Sequence, residues 1–553
     1  MSSPSETVAS GALVREAIEL RRFPWIRPLV SEYSQNFSRL EPLFAGNPGE
    51  PEAWRTTIAR VSRAPRDRAA LHAALSRQLT GRGAPAEAQQ AAAQLASPSS
   101  VAIVTGQQAG VFGGPLYTLL KAVTAIQLAR KVTADHGVPA VPVFWVDAED
   151  HDWDEVRSAR VLDHQFNVAD IVVPNPAGAG SLPVGRLVFD EGVSTAVDEL
   201  ARALPPSEFS SELIAGLRHR YRPGASVGAA FAGWIEDLLG RHGLVVFEAD
   251  DPTLKPLVAD LFARELERPC ATSMLAREAG AKMAALGHSP QVEPGEDSTA
   301  LFYLDGGSRR AIKRHGTAYT IGDSVREAAD VCEEARVHPE RFSPNVLLRP
   351  IVQDRLFPTA CYVAGPSELA YQAQLGGIYR EFGVEAPLLH SRVSITILDS
   401  AAARFLDRSK LPLEALHAQD ESALNRFLEA QLPPDLERAI TDLGRVVGDR
   451  ADVIRVTATA VDPTLAGAVE TTVDRIRETL ESLQSKIIQA AKRKDETLKR
   501  QFTRTRSLAF PDGDPQERGL TVPFFLNRYG LSLGDRLVSS LPLETDRHYI
   551  VAL

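Results

Sequence analysis

Cysteine is scarce in this 553-residue chain, which contains only Cys270, Cys332 and Cys361 and no C-x-x-C pair. A disulfide framework or a thiolate zinc site requires more cysteines at closer spacing. Neither is therefore predicted, and the three thiols are interpreted as small buried side chains.

A long apolar segment is also missing. No run of about 18 apolar residues occurs. The N-terminal stretch MSSPSETVASGALVREAIELRRF lacks the basic start and apolar core of a secretory signal. These absences predict a cytoplasmic protein that does not engage a membrane.

Positive charge is not in excess. The chain has 61 lysines and arginines against 71 aspartates and glutamates, a formal net charge of -10, which provides no bulk attraction for nucleic-acid phosphates. Nucleic acid is therefore not predicted as a partner. A hydrophobic fraction of 44% is ordinary for a globular protein, and the length predicts two to four domains.

What the sequence does contain is an α/β pattern. VAIVTG, residues 101–106, is an apolar run closed by a turn signal, which is typical of a strand buried on both faces of a parallel sheet. A glycine-rich turn follows, then PLYTLLKAVTAIQLARKVTADHG with apolar residues at helical spacing, then the apolar run AVPVFWV. This order predicts a right-handed strand, helix, strand unit in a Rossmann-like sheet.

Elements of other kinds surround this unit. Residues 1 to about 95 read as helical, and further strands are predicted at ARVLD, DIVVP, GRLVFD and GLVVFEADD. TALFYLDGGSRRAIKRHGTAYTI predicts a β-hairpin that turns at Asp305-Gly306. Because a hairpin does not continue a parallel sheet, it is assigned to an inserted module.

From about residue 395 the chain reads as helical again. A heptad seam is formed by alternate spacings of three and four among Val473, Ile476, Leu480, Leu483, Ile487 and Ala490. This pattern predicts an antiparallel coiled-coil arm that pairs with the helices of residues 398–450 and contacts a second copy. The alternative is one helix of an intramolecular bundle.

The first candidate site is the turn TGQQAGVFGGP, residues 105–115, which places four glycines between a strand end and a helix start. Glycines let backbone N–H groups approach an anion, and the helix N-terminus adds partial positive charge. The alternative is a purely structural turn, because the pattern is neither G-x-G-x-x-G nor a P-loop. Gln107 is assigned to catalysis, and the predicted substrate contacts of this segment are Gly106, Gln108, Gly110, Gly114, Tyr117 and Lys121.

The second candidate site follows the next strand, where six carboxylates surround His151 between Asp147 and Glu155. Acids this close repel one another unless cations offset them. We interpret Asp147, Asp154 and Glu155 as a solvated, negatively charged helix start. We interpret Glu149, Asp150, His151 and Asp152 as functional. They could bind a substrate ammonium, hold Mg²⁺ or orient His151 as a base.

The third candidate site is NVLLRPIVQDRLFPTACYVAGPSELAYQAQL, residues 345–375, in which Gly365-Pro366 and Glu368 form a helix-start signature. A well-formed helix beginning explains this signature alone. The following helix is nevertheless more polar than core packing requires. The predicted substrate contacts are Arg349, Gln353, Ser367, Glu368, Tyr371 and Gln374.

These blocks resemble a known family when they are taken together. TGQQAGVFGGPLYTLLKAVTAIQLA, VPVFWVDAEDHDWDEV, the third segment and the closing FLNRYG are similar, in the same order, to recurrent blocks of BshC, the cysteine ligase family of bacillithiol biosynthesis. The resemblance spans about residue 10 to the end. Two departures are Trp153, where the family often has phenylalanine, and GLTVPFF before FLNRYG, so no C-terminal ligand residue is predicted.

The resemblance implies the fold class, α/β with a Rossmann-like parallel-sheet core, inserted connecting modules and a C-terminal α-helical coiled coil. We expect the core at residues 1–395, with inserts at about 160–240 and 265–340. The arm is expected at 396–510, and a C-terminal segment at 511–553 is expected to pack back on the core.

The resemblance also implies a reaction, the addition of cysteine to the amino group of glucosaminyl malate by a homodimer. ATP is expected on chemical grounds, and the need for Mg²⁺ stays open. In our hypothesis the turn amides with Gln107 and Gln108 bind an anionic group, while Asp150, His151 and Asp152 bind and deprotonate the attacking amine. The alternatives are a Rossmann-type nucleotidyl or group transferase acting on a sugar and a non-catalytic coiled-coil scaffold.

Overall fold

The computed structural model describes residues 13–306, 308–429, 434–494 and 496–553. Within these ranges the strands are β1 (Val14–Glu19), β2 (Val101–Gln108), β3 (Ala140–Asp147), β4 (Ser158–Leu162), β5 (Val168–Val172), β6 (Val245–Glu248), β7 (Ser298–Asp305), β8 (Ser308–His315), β9 (Ala318–Ile321), β10 (Ser324–Glu327), β11 (Phe342–Pro344), β12 (Thr359–Ala364), β13 (Leu388–Ser391), β14 (Ser394–Leu398) and β15 (Arg547–Ala552).

The helices are α1 (Pro28–Gln35), α2 (Pro51–Arg63), α3 (Arg68–Arg82), α4 (Ala86–Gln94), α5 (Leu116–His136), α6 (Trp153–Val156), α7 (Gly192–Ala203), α8 (Ser210–Arg220), α9 (Val227–Leu239), α10 (Ala259–Glu267), α11 (Ala271–Ala285), α12 (Ala328–Val337), α13 (Arg349–Leu356), α14 (Pro366–Gln372), α15 (Gly376–Phe382), α16 (Ser400–Ser409), α17 (Ser422–Glu429), α18 (Pro434–Val461), α19 (Leu465–Lys494), α20 (Glu496–Ala509), α21 (Gln516–Gly519), α22 (Val522–Tyr529) and α23 (Leu533–Ser540). None of the helices in these ranges combines the length and apolar character that a membrane crossing requires.

The chain divides into two compact units. The first contains the described residues up to Ile397 together with Gln516–Leu553, and the second is Leu398–Pro515. The division places the last 38 residues with the N-terminal unit, so the polypeptide leaves this unit at β14 and returns to it at α21.

A five-stranded parallel sheet lies in the first unit, with strand order β13-β12-β2-β3-β6. Helix α5 connects β2 to β3, which confirms the predicted strand, helix, strand unit. This helix ends at Gly137, whose φ of 66° and whose N–H bond to the Thr133 carbonyl form a C-terminal cap. Chain order reverses between β2 and β12, and such a reversal is where open α/β sheets bind ligands.

Strand β2 is buried on both faces, as its unbroken apolar run predicts. Ala102 and Val104 belong to the larger hydrophobic cluster. Val101 and Ile103 belong to a second cluster, which includes Ala125 of α5. Since alternate residues of a strand point to opposite faces, these two cores cover the two faces of the sheet.

The inserted modules hold antiparallel strands. β7 and β8 pair with Asp305 opposite Ser308, which confirms the predicted hairpin, and both lie in a separate sheet of order β10-β9-β8-β7-β11. The strand predicted at GRLVFD is wrong. There Val184–Arg186 forms a 3-10 turn and Val188 makes an isolated bridge with Ser226, because the segment it faces turns directly into α9.

The sequence predicts that the N-terminal region is entirely helical, and this prediction is wrong at strand β1. Strand β1 pairs antiparallel with β15, and β15 lies between β1 and β14 in a three-stranded sheet. The first twelve residues of the predicted helical region lie outside the described residues. This sheet joins residues more than 500 positions apart, so no local pattern predicts it.

The second unit is helical. Its two long helices, α18 and α19, follow one another across a turn that contains Asp462 and pack together. In the predicted seam, Val473 is buried, whereas Ile476 and Leu483 are 38% and 46% exposed. The unit therefore contains a two-helix coiled coil with apolar side chains left on its surface.

Candidate functional site

A cavity of about 760 Å³ opens at the carboxyl ends of β2, β3 and β12. Gln108 of β2 pairs in register with Asp147 of β3, so the first two candidate segments begin side by side. The structure brings most of the predicted site residues to this cavity: Gly106, Gln107, Gln108, Tyr117, Lys121, Asp150, His151, Arg349, Gln353, Ser367, Glu368 and Tyr371.

A smaller cavity of about 190 Å³, here called the annex, adjoins the first. The two share five lining residues, which are Gln107, Gln108, Tyr117, Glu155 and Arg518. The predicted contacts Gly110 and Gly114 line the annex. The glycine-rich turn therefore borders the annex, and only its first glycine, Gly106, lines the main cavity.

The glycine-rich turn is closed by its own hydrogen bonds. Gly110 donates to the Gln108 carbonyl (2.9 Å), Gly113 to the Gly110 carbonyl (3.2 Å) and Gly114 to the Val111 carbonyl (3.1 Å). The first amide of α5, that of Leu116, donates to the Leu520 carbonyl at 2.9 Å. The prediction that the amides of this turn are free to bind an anion is therefore wrong for these groups.

Lys121 is also committed within the protein. Its Nζ donates to the Gly106 carbonyl (2.7 Å) and to Gln107 Oε1 (3.0 Å) and lies 2.5 Å from Glu368 Oε2. Burial lowers the pKa of this ammonium although Glu368 opposes the shift. Because three acceptors use its three protons, Lys121 positions Gln107 and Glu368 and leaves no donor for an anion.

The acidic segment contributes a cluster around His151. Asp150 Oδ1 accepts from the His151 backbone N–H (2.7 Å) and from Arg309 Nη1 (3.3 Å), and it lies 3.4 Å from His151 Nδ1. Burial raises the pKa of Asp150, but Arg309, Arg349 and the His151 N–H outweigh it and hold the pKa below its usual value. The carboxylate is therefore ionised beside the imidazole, which is 39% exposed.

Asp147 is not the solvated residue that the sequence suggested. It is buried, lines the cavity and forms an ion pair with Arg349 of α13. Burial raises the pKa of this carboxyl against the opposing effect of Arg349. Asp147 Oδ1 and Arg349 Nε have no hydrogen-bond partner among the described residues, so this pair presents unsatisfied polar atoms near the cavity.

Two acids predicted to be functional lie elsewhere. Glu149 is buried in an ion pair with Lys255, whose Nζ also donates to the Phe342 carbonyl at 3.1 Å. Asp152 caps α6, accepting from the Glu155 N–H at 3.3 Å. Neither lines the cavity, because the chain turns between β3 and α6 and sends successive side chains in different directions.

Glu155 and Asp154 also differ in their surroundings. Glu155 was predicted to be a solvated helix residue, but it lines both cavities and accepts from Gln108 Nε2 at 2.9 Å. Asp154, in contrast, is 85% exposed beside Arg157, as predicted.

The third segment supplies Ser367, Glu368 and Tyr371 to the cavity, while Gln374 faces away from it. The Gln374 side chain accepts from the N–H groups of Gln291 and Val292 and donates to the Ala276 and Val292 carbonyls. Its predicted role is wrong because α14 ends at Gln372, so the helical spacing that would align Gln374 with Tyr371 stops before it.

Sequence reasoning missed several cavity residues. Phe302 and Arg309 come from the β7–β8 hairpin, and the Arg309 guanidinium lies 3.8 Å from the centre of the Phe302 ring. Arg392 follows β13 and forms a two-point ion pair with buried Glu517, at 2.6 and 2.9 Å. Arg518 comes from α21. No local motif marks these residues, because distant segments bring them to the cavity.

We next looked at the acidic and histidine side chains as ligands for a metal ion. In the ranges that the structure describes, no three histidine, cysteine, aspartate or glutamate side chains are grouped so that they hold an ion. Asp147, Asp150 and Glu368 of the cavity instead face Arg349, Arg309 and Lys121, respectively.

Comparisons with known proteins agree with this architecture. Residues 15–393 match the family model "Bacillithiol biosynthesis BshC, N-terminal Rossmann-like domain", and residues 395–553 match "Bacillithiol biosynthesis BshC, C-terminal coiled-coil domain". Proteins named "Putative cysteine ligase BshC" are similar over most of their length. The protein of Salinibacter ruber is 33% identical over 100% of both chains, and that of Symbiobacterium thermophilum is 32% identical over 93% of this chain and 95% of its own.

Proposed function

The chain belongs to the BshC family of bacillithiol biosynthesis, and on that premise we propose that it is a ligase that joins the carboxyl group of cysteine to the amino group of glucosaminyl malate. The observation that carries this proposal is the Asp150–His151 pair inside a polar cavity at the switch point of the sheet. The name borne by the relatives supports a ligase.

His151 is proposed as the base. An amine attacks a carbonyl only after it loses a proton, and histidine is the residue most often used to accept one. His151 Nδ1 faces the protein, 3.4 Å from Asp150 Oδ1 and 3.5 Å from Arg309 Nη1, and Nε2 is therefore assigned to accept the proton of the substrate ammonium. Arg309 assists indirectly, because it keeps Asp150 ionised.

Substrate binding is assigned to the polar groups that remain around the main cavity. Gln107 is held by Lys121 and lies 3.4 Å from the Tyr117 hydroxyl, so its amide is oriented before substrate arrives. Gln108, Gln353, Ser367 and Tyr371 also line the cavity. A site with preset polar groups loses less entropy on binding than one that must order them.

Joining a carboxylate to an amine in water is uphill, so the cysteine carboxylate requires activation, and ATP is the expected source on chemical grounds. The glycine-rich turn does not fit a triphosphate, because the amides of Gly110, Gly113 and Gly114 already donate within the turn. The residues of this chain are therefore assigned roles in binding and deprotonating the amine, and none is assigned to ATP.

We also propose that the helical unit contacts a second copy of the chain. Leu443, Val446, Val453 and Val456 repeat at intervals of three and seven along α18 and are all 45% exposed or more. Exposed apolar side chains at such spacing are typical of a protein interface. Replacing Val446 and Val453 by glutamate should shift the sedimentation coefficient from that of a dimer to that of a monomer.

The function is tested by incubating the protein with glucosaminyl malate, cysteine and ATP and detecting products by mass spectrometry. The proposal predicts a product with the mass of cysteinyl glucosaminyl malate and the release of AMP or phosphate only when cysteine is present. A sugar transferase would release its leaving group without cysteine. A scaffold would give no product, and glucosaminyl malate would not raise its melting temperature.

A further inference from the structure

Arg518 differs from every other basic residue of the main cavity. Lys121, Arg309, Arg349 and Arg392 each face a carboxylate of the protein. Arg518 lines both the cavity and the annex, yet it forms no ion pair with any carboxylate in the described ranges. Its guanidinium lies 5.9 Å from the centre of the Tyr117 ring, a contact that leaves its N–H groups available to an acceptor.

The backbone around Arg518 is fixed by its neighbours. The Gln516 side chain accepts from the Ile397 N–H and donates to the Ile397 carbonyl. Glu517 holds Arg392, and the Leu520 carbonyl accepts from Leu116 at the start of α5. Three of the four residues flanking Arg518 are thus tied to the core, and the exposed Arg518 side chain projects from a rigid support.

The annex offers a second unused donor. The Thr118 side chain is fully buried, lines the annex, and its Oγ1 has no hydrogen-bond partner among the described residues. A buried hydroxyl without a partner destabilises the folded protein. Thr118 and Arg518 line the same small space, so a ligand group with several acceptor oxygens would satisfy both.

We propose that Arg518, with Thr118, binds the malyl carboxylates of the sugar substrate and so determines its specificity. This inference rests on the proposed function. Carboxylate is the partner for which an arginine fork is best shaped. Cysteine has one carboxylate, which the reaction consumes, whereas the malyl group keeps both of its carboxylates.

The position of Arg518 agrees with the proposed base. Asp150 and His151 line the main cavity only, whereas Arg518 also lines the annex. A substrate with its amine at His151 would therefore extend its acidic end toward the annex. This arrangement makes the returning C-terminal segment part of the substrate site.

The test uses the full-length chain with Arg518→Ala, Arg518→Lys and a control, Arg536→Ala, which changes an arginine of the same segment that lines neither cavity. Arg518→Ala should raise the KM for glucosaminyl malate about tenfold or more, while the KM for cysteine and the kcat change less than about threefold. Arg518→Lys should recover part of the loss, because it keeps the charge without the fork.

A second acceptor separates recognition from chemistry. Methyl glucosaminide has the amine but no carboxylate, so Arg518→Ala should leave its KM unchanged and reduce the preference for glucosaminyl malate. Equal losses on both acceptors, or a rise confined to the KM for cysteine, would overturn the inference.

Malate binding provides a readout without turnover. Calorimetry should show malate binding to the wild type and to Arg536→Ala, with loss of binding in Arg518→Ala and a smaller loss in Thr118→Val. Malate binding that does not depend on Arg518 contradicts the inference even if product forms. Arg518-dependent binding in a protein that makes no cysteinyl product would support the carboxylate site and reject the proposed ligase.

Discussion

The glycine-rich turn after β2 and the acidic segment after β3 occupy equivalent positions at neighbouring strand ends, yet they present different chemistry to the cavity. The turn uses its amides internally. The acidic segment divides its charges, since Glu149 is paired in the interior, Asp152 caps a helix, and Asp147 and Asp150 face the cavity. Equivalent placement in a sheet therefore does not imply an equivalent role.

The difference arises from where the partners come from. A backbone amide in a tight turn finds its acceptor within four residues, so the turn closes whatever surrounds it. The two buried carboxylates of the acidic segment pair with cations more than 100 positions away, Glu149 with Lys255 and Asp147 with Arg349. The outcome for these two acids depends on the whole fold.

The largest expected change is the loss of stability when buried Glu149 is replaced. Glu149→Ala would leave the Lys255 ammonium without its carboxylate in the interior, which should lower the free energy of unfolding by about 3–5 kcal/mol. Urea denaturation followed by circular dichroism measures this loss. Asp154→Ala, in the same segment but 85% exposed, should change stability by less than about 0.5 kcal/mol. Similar losses for the two variants would show that burial does not separate these acids.

The next effect concerns the glycine-rich turn. Gly113 has a φ of 98°, and an added Cβ would lie 3.0 Å from the Trp234 ring. Gly113→Ala should therefore cost about 2–3 kcal/mol of stability. Gly137→Ala is the matched control, because Gly137 has a φ of 66° with nothing near its Cβ position, and it should cost about 1 kcal/mol. Equal stability of Gly113→Ala and Gly137→Ala would contradict the close packing of the glycine-rich turn against Trp234.

The smallest effect distinguishes capping from catalysis. Asp152→Ala removes the acceptor at the N-terminus of α6 and should lower stability by about 1 kcal/mol. Asp152→Asn keeps an acceptor oxygen and should stay within a few tenths of a kcal/mol of the wild type. Thermal unfolding of the two variants provides the comparison, and an equally large loss in the asparagine variant would argue that charge, not capping, is what matters there.

Much of the fold follows from local patterns. The apolar runs of β2 and β3, the helical spacing of α5 with its stop at Gly137, and the Asp305-Gly306 turn each predict the element that is found. The pairing of β1 with β15 was not predictable in this way, because each strand needs a partner from the opposite end of the chain.

The site was predictable in its location and less so in its members. Register places the ends of β2 and β3 together, so Gln107, Gln108, Asp150 and His151 meet as expected. Gln374 was misassigned because the end of α14 is set by packing, and Arg309, Arg392 and Arg518 were missed because they reach the cavity from an insert, a strand end and the C-terminal segment.

The proposed role of the acidic segment is tested most directly by two variants of adjacent residues. The measurement is the initial rate of cysteinyl glucosaminyl malate formation, by mass spectrometry, for wild type, His151→Ala and Asp152→Ala at equal concentrations of folded protein. Loss of a general base should reduce the rate of His151→Ala about 100-fold or more, while Asp152→Ala stays within about threefold of wild type. Equal rates for His151→Ala and wild type would contradict the proposed base.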